Sequence, residues 1–271
     1  MKNIAFIKMV ASGNDFVVVD NRRVKISGTR LCAFAREVCD RHYGVGGDGL
    51  IALETSKKAD FRMRIINSDG SEAEMCGNGA RCAALFAIEN KMSGKKMSFE
   101  TLAGIIEAEV SGSIVKLKMS DPRGLRRDIN LVLSDGRYNV NFVNTGVPHA
   151  VIFVDHLESQ DVKTTGKEVR YHSAFAPRGA NADFVEAAGK NLIKVRTYER
   201  GVEDETLACG TGVTASAIIS AIVKDLKSPV VCLTKGGDRL KIYFKRRGND
   251  FTDVYLEGGA REAFLGRYLY K

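Results

Sequence analysis

The chain has 271 residues, 44% hydrophobic and 27% charged, the make-up of one large or two modest globular domains that can each bury a core. Its formal charge is +8, but Lys and Arg are scattered. The densest cluster, Lys245-Arg246-Arg247 ahead of Gly248-Asn249, reads as a solvated hairpin tip and lacks the aromatic interleaving of a nucleic-acid surface. No run reaches the roughly 18 apolar residues of a membrane span, so neither nucleic acid nor membrane is an expected partner, and a basic surface suits an anionic small molecule.

Lys2 followed by the apolar residues 4–10 has the outline of a signal peptide, but Lys8 interrupts the run and Gly13-Asn14-Asp15 follows at once. A first strand in a cytoplasmic protein is expected there. Residues 16–20 read as a second strand and 31–42 as an amphipathic helix, with Leu31, Phe34, Ala35 and Val38 on its apolar face. Gly44-Val45-Gly46-Gly47-Asp48-Gly49 fits G-x-G-x-x-G, yet it follows a helix instead of a strand and leads into Leu50-Ile51-Ala52, so the dinucleotide fingerprint lacks its context. Phosphate-loop and nucleophile-elbow motifs are missing from the sequence. Phe61, Met63 and Ile65 alternate with charges and lead into Asn67; Val115, Leu117 and Met119 alternate with Lys116 and Lys118. Ser120-Asp121-Pro122-Arg123-Gly124 then breaks the pattern and is the best linker. Strands at 142–144, 151–155, 193–197, 230–233 and 242–244 follow.

Two segments stand out within this order. Cys76 lies in Met75-Cys76-Gly77-Asn78-Gly79 and Cys209 in Ala208-Cys209-Gly210-Thr211-Gly212, each ahead of a small-residue apolar run, 82–88 and 215–223. Such runs read as buried helices, which puts each thiol at a helix N-terminus where free N–H groups and the macrodipole favour negative charge. A thiol so placed can fall to a pKa of roughly 3.5–7.5. The two cysteines are 133 residues apart, and the same shift sets Glu72 on Glu205, Gly77 on Gly210, Gly79 on Gly212, Ala84 on Ala217, Thr101 on Thr234 and Gly104 on Gly237. A shift of 135 sets the run from Asn14 to Asp20 on that from His149 to Asp155, and Asp48 on Asp183. Repeats of this length are tandem domains, expected at 1–122 with Cys76 and 123–271 with Cys209, the last strand free to return to the first domain. The expected class is α/β (α+β): two pseudo-symmetric domains, each a barrel-like, largely antiparallel sheet around a central helix, with no βαβ parallel sheet. Asn14 against His149 and Asn67 against Arg200 mark half-sites that have specialised.

Cys32 and Cys39 on the helical apolar face, Cys82 in its helix and Cys232 in a strand read as core fillers. With no C-x-x-C and four His, no metal site is expected. Cys76 and Cys209 suit another chemistry. Inverting an amino acid's α-carbon needs a base on one face and an acid on the other, and one thiolate with one thiol supplies both. Without cofactor, charge developing on the substrate carboxylate must meet preorganised donors, here the backbone N–H groups of Gly77, Asn78, Gly210 and Thr211.

The stretches Asn67-Ser68-Asp69-Gly70-Ser71, Met75 to Cys82, Tyr198-Glu199-Arg200-Gly201 and Ala208 to Gly212, with Gly13-Asn14-Asp15-Phe16 and Asn144-Thr145-Gly146-Val147-Pro148-His149, resemble the signatures of the diaminopimelate epimerases. The resemblance implies cofactor-independent interconversion of LL- and meso-2,6-diaminopimelate, on the route to lysine and cell-wall precursors, by a homodimer. It implies Cys76 and Cys209 as the bases and His149 and Glu199 as their polar partners. Gly77, Asn78, Gly210 and Thr211 would hold the reacting carboxylate, Asn14 would line the pocket, and Asn67, Asn181, Glu199 and Arg200 would read the distal amino-acid end. Two positions depart from a common family pattern: Val147 stands where many members have Asn, and Gly49 where they have Gln. A racemase of another amino acid on the same scaffold, and a non-catalytic amino-acid-binding or redox-sensing protein, are the alternatives.

Overall fold

The structure, a computed structural model, describes residues 2–270. The chain forms two compact units: one runs to Leu117 and resumes at Gly258, the other is Lys118–Glu257. The stretch read as a linker, 120–124, lies inside the second unit.

In the first unit the strand Lys2–Ala11 pairs antiparallel with both Asn14–Asp20 and Arg261–Tyr270. Asn14–Asp20 lies parallel to Gly49–Glu54, which pairs antiparallel with Phe61–Asn67. Phe61–Asn67 runs parallel to Lys96–Thr101, and the antiparallel strands Gly104–Ser111 and Ile114–Lys118 follow. These strands surround the helix Gly77–Glu89, which packs against five of them and buries every residue from 78 to 87. A helix apolar on all sides has to be enclosed in this way. The outer helix Gly28–Val38 buries Leu31, Phe34, Ala35 and Val38 on Val17, Val19, Leu50 and Ile66. It stops at Val38, short of the expected 42, because the N–H groups of Val45 and Gly46 fold back onto the Val38 carbonyl at 2.8 and 3.0 Å.

The second unit repeats the plan. Arg123–Leu133, Gly136–Asn144 and Pro148–Phe153 form an antiparallel meander, and Pro148–Phe153 lies parallel to Asn181–Gly189. Leu192–Glu199 is antiparallel to the latter and parallel to Val230–Thr234, which continues into Arg239–Arg247 and Asp250–Gly259. Lys245–Arg247 does end at a hairpin, with Arg247 opposite Asp250. The helix Gly210–Val223 is enclosed, with residues 212–221 all buried.

Each sheet is largely antiparallel, as expected, but each contains two parallel pairs joined through a helix. The expectation of no βαβ connection is corrected here. A strand that feeds a central helix and re-enters beside itself must cross over, and crossover strands run parallel. A second departure is the helix Val162–Tyr171, capped by the Asp161 side chain on the Thr164 N–H at 3.0 Å. Its buried face is Val162, Thr165, Gly166 and Val169; with only two of those four apolar, its period does not show in the sequence. Among the described residues no helix is long and apolar enough to cross a membrane.

Candidate active site

Each cysteine caps its central helix. Cys76 is extended (φ −141°, ψ 121°) just before Gly77–Glu89, and its Sγ accepts the Gly79 N–H at 3.5 Å. Cys209 holds the same place (φ −115°, ψ 113°) before Gly210–Val223. Both sulfurs thus stand beside N–H groups that have no intrahelical partner. A two-pronged ion pair anchors the approach to each: Arg64 to Glu72 at 2.8 and 2.7 Å, and Arg196 to Glu205 at 2.6 and 3.0 Å. The glycine three residues past each cysteine marks a tight contact beneath the helix. A Cβ on Gly79 would come to 2.9 Å from the Ile65 methyl, whereas one on Gly212 would run into Oδ1 of Asp183 and meet Oγ1 of Thr197 at 3.0 Å.

Around the first helix start, polar side chains form a line. Arg81, fully buried, donates from Nη2 to Oδ1 of Asn78 (2.9 Å) and to the Ser12 hydroxyl (2.7 Å). Asn78 donates from Nδ2 to Oδ1 of Asn14 (2.5 Å), and Asn14 donates to Oδ2 of Asp48 (2.8 Å). Arg41 clamps Asp48 and Asp15, and the buried Lys8 also reaches Asp15. Those two cations, through hydrogen bonds and charge, outweigh burial and hold the Asp15 carboxyl well below the usual range. Asn67 lies apart from this line, exposed and bonded to the Ser71 hydroxyl at 3.0 Å.

The second helix start has a line of the same length with different chemistry. His149 and Asp183 are both fully buried, and Nδ1 of His149 lies 2.7 Å from Oδ2 of Asp183. Oδ1 of Asp183 accepts the Thr197 hydroxyl at 2.7 Å. Nε2 of His149 is 2.9 Å from the Thr211 hydroxyl, and that hydroxyl is 3.4 Å from the Cys209 sulfur. Asn181 is buried against the ring: Nδ2 donates to the Pro148 carbonyl (3.1 Å) and lies 3.4 Å from Nε2 of His149, while Oδ1 accepts the Arg200 N–H (2.7 Å). Strand pairing sets His149 opposite Asn181, which is how residues 32 apart meet. The Arg200 side chain is half-buried, and its Nη1 donates to the Arg178 carbonyl at 3.4 Å.

The expectation of a lowered pKa fails at Cys209. Burial pushes this thiol well up, and the charges of Glu199 and Asp183 add to the effect. Burial also raises the Glu199 carboxyl. Burial and these two charges outweigh the hydrogen bonds from Thr211 and Gly212 that favour the thiolate. Among the expected core fillers, burial drives Cys39 and Cys82 to about 12 and Cys232 higher still. Cys32 is half-buried. Among the described residues no group of three or more His, Cys, Asp or Glu could hold a metal ion.

Sequence reasoning did not place Asp183, Thr197, Asp48 or Arg81 near the site. The repeat carried a signal for two of them, since the shift that overlays Asn14 on His149 also overlays Asp48 on Asp183.

The fold recurs in solved structures of distant sequence. The chain superposes on a phenazine biosynthesis protein of the PhzF family from Bacillus anthracis (TM-score 0.78, 16% identity, 100% of both chains). It also superposes on a hydroxyproline epimerase from Agrobacterium vitis (TM-score 0.71, 13% identity, 98% of this chain and 92% of that one). In sequence, residues 6–123 and 141–261 match the diaminopimelate epimerase family. The chain is 45% identical over 276 residues to the diaminopimelate epimerase of Aquifex aeolicus, covering 97% of this chain and 96% of that protein. The corresponding enzyme of Methanocella arvoryzae is 42% identical over 281 residues, with 98% and 97% covered. The chain belongs to the diaminopimelate epimerase family.

Proposed function

We propose that this protein interconverts LL- and meso-2,6-diaminopimelate by two thiols acting on opposite faces of one α-carbon. The observation that carries the reading is the repeated helix start, a cysteine capping an enclosed helix in each unit, within a chain of this family. One thiol arrives protonated and the other as thiolate, and each catalytic turn exchanges their states. The raised pKa of Cys209 suits the donor role in the ligand-free protein. Gly77, Asn78, Gly210 and Thr211 supply N–H groups for the substrate carboxylate, whose charge grows as the α-proton leaves. No organic cofactor is called for in this scheme.

The remaining roles follow from chemistry and placement. His149 and Glu199 act as polar partners of the thiols, and Asn14 lines the pocket. Arg200 takes the distal carboxylate as a fork, with Asn67 and Glu199 at the same end. Asn181 already holds the Arg200 N–H and the Pro148 carbonyl, so it aids distal reading by fixing the backbone of Arg200. The protein works in the cytoplasm, where reducing conditions keep both thiols free, and as a homodimer, which the resemblance implies.

Solvent-deuterium incorporation at the α-carbon, measured over a panel of amino acids, tests the reading. Exchange with diaminopimelate far above the others supports it. Preferred exchange with an amino acid lacking a distal carboxylate would assign another racemase substrate, consistent with the apolar Val147. A protein that binds without exchange is not an enzyme of this kind.

A further inference from the structure

A short strap leads into each thiol, residues 72–76 in the first unit and 205–209 in the second, and the 133-residue shift lays one on the other. Each strap begins on the sheet: Glu72 and Ala73 pair with two residues of Phe61–Asn67, and Asp204–Thr206 with three of Leu192–Glu199. Each is then tied to a hairpin turn of its own unit. The Ala103 N–H donates to the Glu74 carbonyl at 3.3 Å, and the Gly236 N–H to the Leu207 carbonyl at 3.0 Å. The same shift relates Ala103 to Gly236 and Glu74 to Leu207, so the tie is duplicated. The turns differ one residue earlier, where Leu102 in the first corresponds to Lys235 in the second. Nζ of Lys235 lies 2.6 Å from Oε2 of Glu205, the carboxylate that Arg196 already grips. The Glu205 side chain is 3% exposed, against 23% for Glu72, whose ion-pair partner among the described residues is Arg64. The thiols follow the same order, Cys209 buried and Cys76 half-buried.

We propose that Lys235 is a positioning residue that acts on Cys209 through Glu205. For its kinetic consequence the inference rests on the epimerase reading above. A buried carboxylate shared by two cations cannot lift away without separating charges out of water, which is costly. Glu205 therefore pins the start of the second strap, and the Gly236 N–H pins its middle at Leu207. Two residues further on, the Cys209 backbone has little room to move from the helix start. A thiol that must meet an α-carbon at about 3–3.5 Å depends on such placement. The first strap has an apolar residue where the second has this cation, so of the two thiols Cys76 has the freer backbone.

Alkylation of the intact, ligand-free protein with iodoacetamide, followed by peptide mass mapping, tests this without substrate. In the wild type Cys76 should react at least about ten times faster than Cys209. Lys235→Leu gives the second turn the residue of the first and should raise the Cys209 rate at least about fivefold, with the Cys76 rate unchanged. The sign is diagnostic. Loss of a cation by itself disfavours a thiolate and would slow alkylation, so a faster reaction reports a loosened strap. Lys235→Arg keeps the charge and the donors to Glu205 and should restore the wild-type rate. In turnover, Lys235→Leu should lower kcat by about tenfold with KM changed less than threefold, and Lys235→Arg should recover most of the loss. A lower melting temperature with Cys209 alkylation and kcat both unchanged would make Lys235 a purely structural residue and overturns the proposal. A Cys209 rate that falls in Lys235→Leu, or that already matches Cys76 in the wild type, overturns it as well. If wild-type protein shows no exchange with diaminopimelate, the epimerase reading fails, and the alkylation rates still judge the contact between Lys235 and Glu205.

Discussion

The two helix starts are built on one plan and end in opposite chemistry. In both units a line of donors runs from the central helix to a carboxylate: Arg81 to Asn78 to Asn14 to Asp48, and Cys209 to Thr211 to His149 to Asp183. Asn14 and His149 correspond under the 135-residue shift, as do Asp48 and Asp183, and Asn78 corresponds to Thr211 under the 133-residue shift. The first line is headed by a guanidinium and contains only amides, which do not titrate, so it is a fixed dipole array. The second is headed by a thiol and contains an imidazole, a titratable ring where the first line has an amide. A duplicated scaffold therefore carries two helix starts built on one plan with different side-chain chemistry.

The comparison breaks outright if either half-site works alone. Cys76→Ala and Cys209→Ala should each lower epimerisation by more than about 1,000-fold, with folding unchanged by circular dichroism. Near-wild-type turnover in either variant would end the two-thiol mechanism. Next in size is distal recognition, in which the proposed scheme gives Arg200 the largest part. Arg200→Met should lower kcat/KM for diaminopimelate by one to several powers of ten, since an unpaired charge partner in a desolvated site costs about 2–5 kcal/mol. Amino acids without a distal carboxylate should lose much less. Equal losses for both substrate classes would mean that Arg200 only supports the loop before Cys209.

A smaller effect sharpens the contrast between the lines. Asp48→Asn removes the carboxylate of the non-titrating line and should lower kcat by less than about tenfold, leaving the acid limb of the pH profile unmoved. A displaced limb would show that the amide line also carries proton chemistry. The two lines would then be equivalent.

Much of this was legible in the sequence because small-residue helices and repeated glycines leave a strong trace. Cys76 and Cys209 at enclosed helix starts, the core thiols Cys82 and Cys232, and the sheet around each helix all follow from local pattern. The hidden parts depend on contacts far apart in sequence. His149 meets Asp183 because two strands lie parallel in one register, and nothing near either residue states that register. The lowered thiol pKa inferred from the helix start failed at Cys209 because burial and two nearby carboxylates act on the sulfur in three dimensions.

The far ends of the two central helices differ as well, and yield the smallest prediction. Gly210–Val223 ends on Lys224, a cation where the macrodipole is negative. Gly77–Glu89 ends on an acid, Glu89, whose pKa is raised from 4.5 to about 7, by burial first and then by hydrogen bonding and charge from Glu262. Between those two values the folded state binds more protons than the unfolded chain, so this group's contribution to stability falls as pH rises through the window. It is least unfavourable below about pH 4.5 and most unfavourable above about pH 7. Glu89→Gln removes the ionisable group. Its melting temperature relative to wild type should therefore climb from pH 4.5 to 7 and level off above. The carboxyl is largely open to solvent, so screening holds the gain to about 1 kcal/mol or less, no more than about 3 °C in a chain of this size. Glu262→Gln should give the same trend, and the double variant should add little to either single one, because each already ends the repulsion. A gain independent of pH would assign the effect to helix propensity and leave the acidic pair without a role.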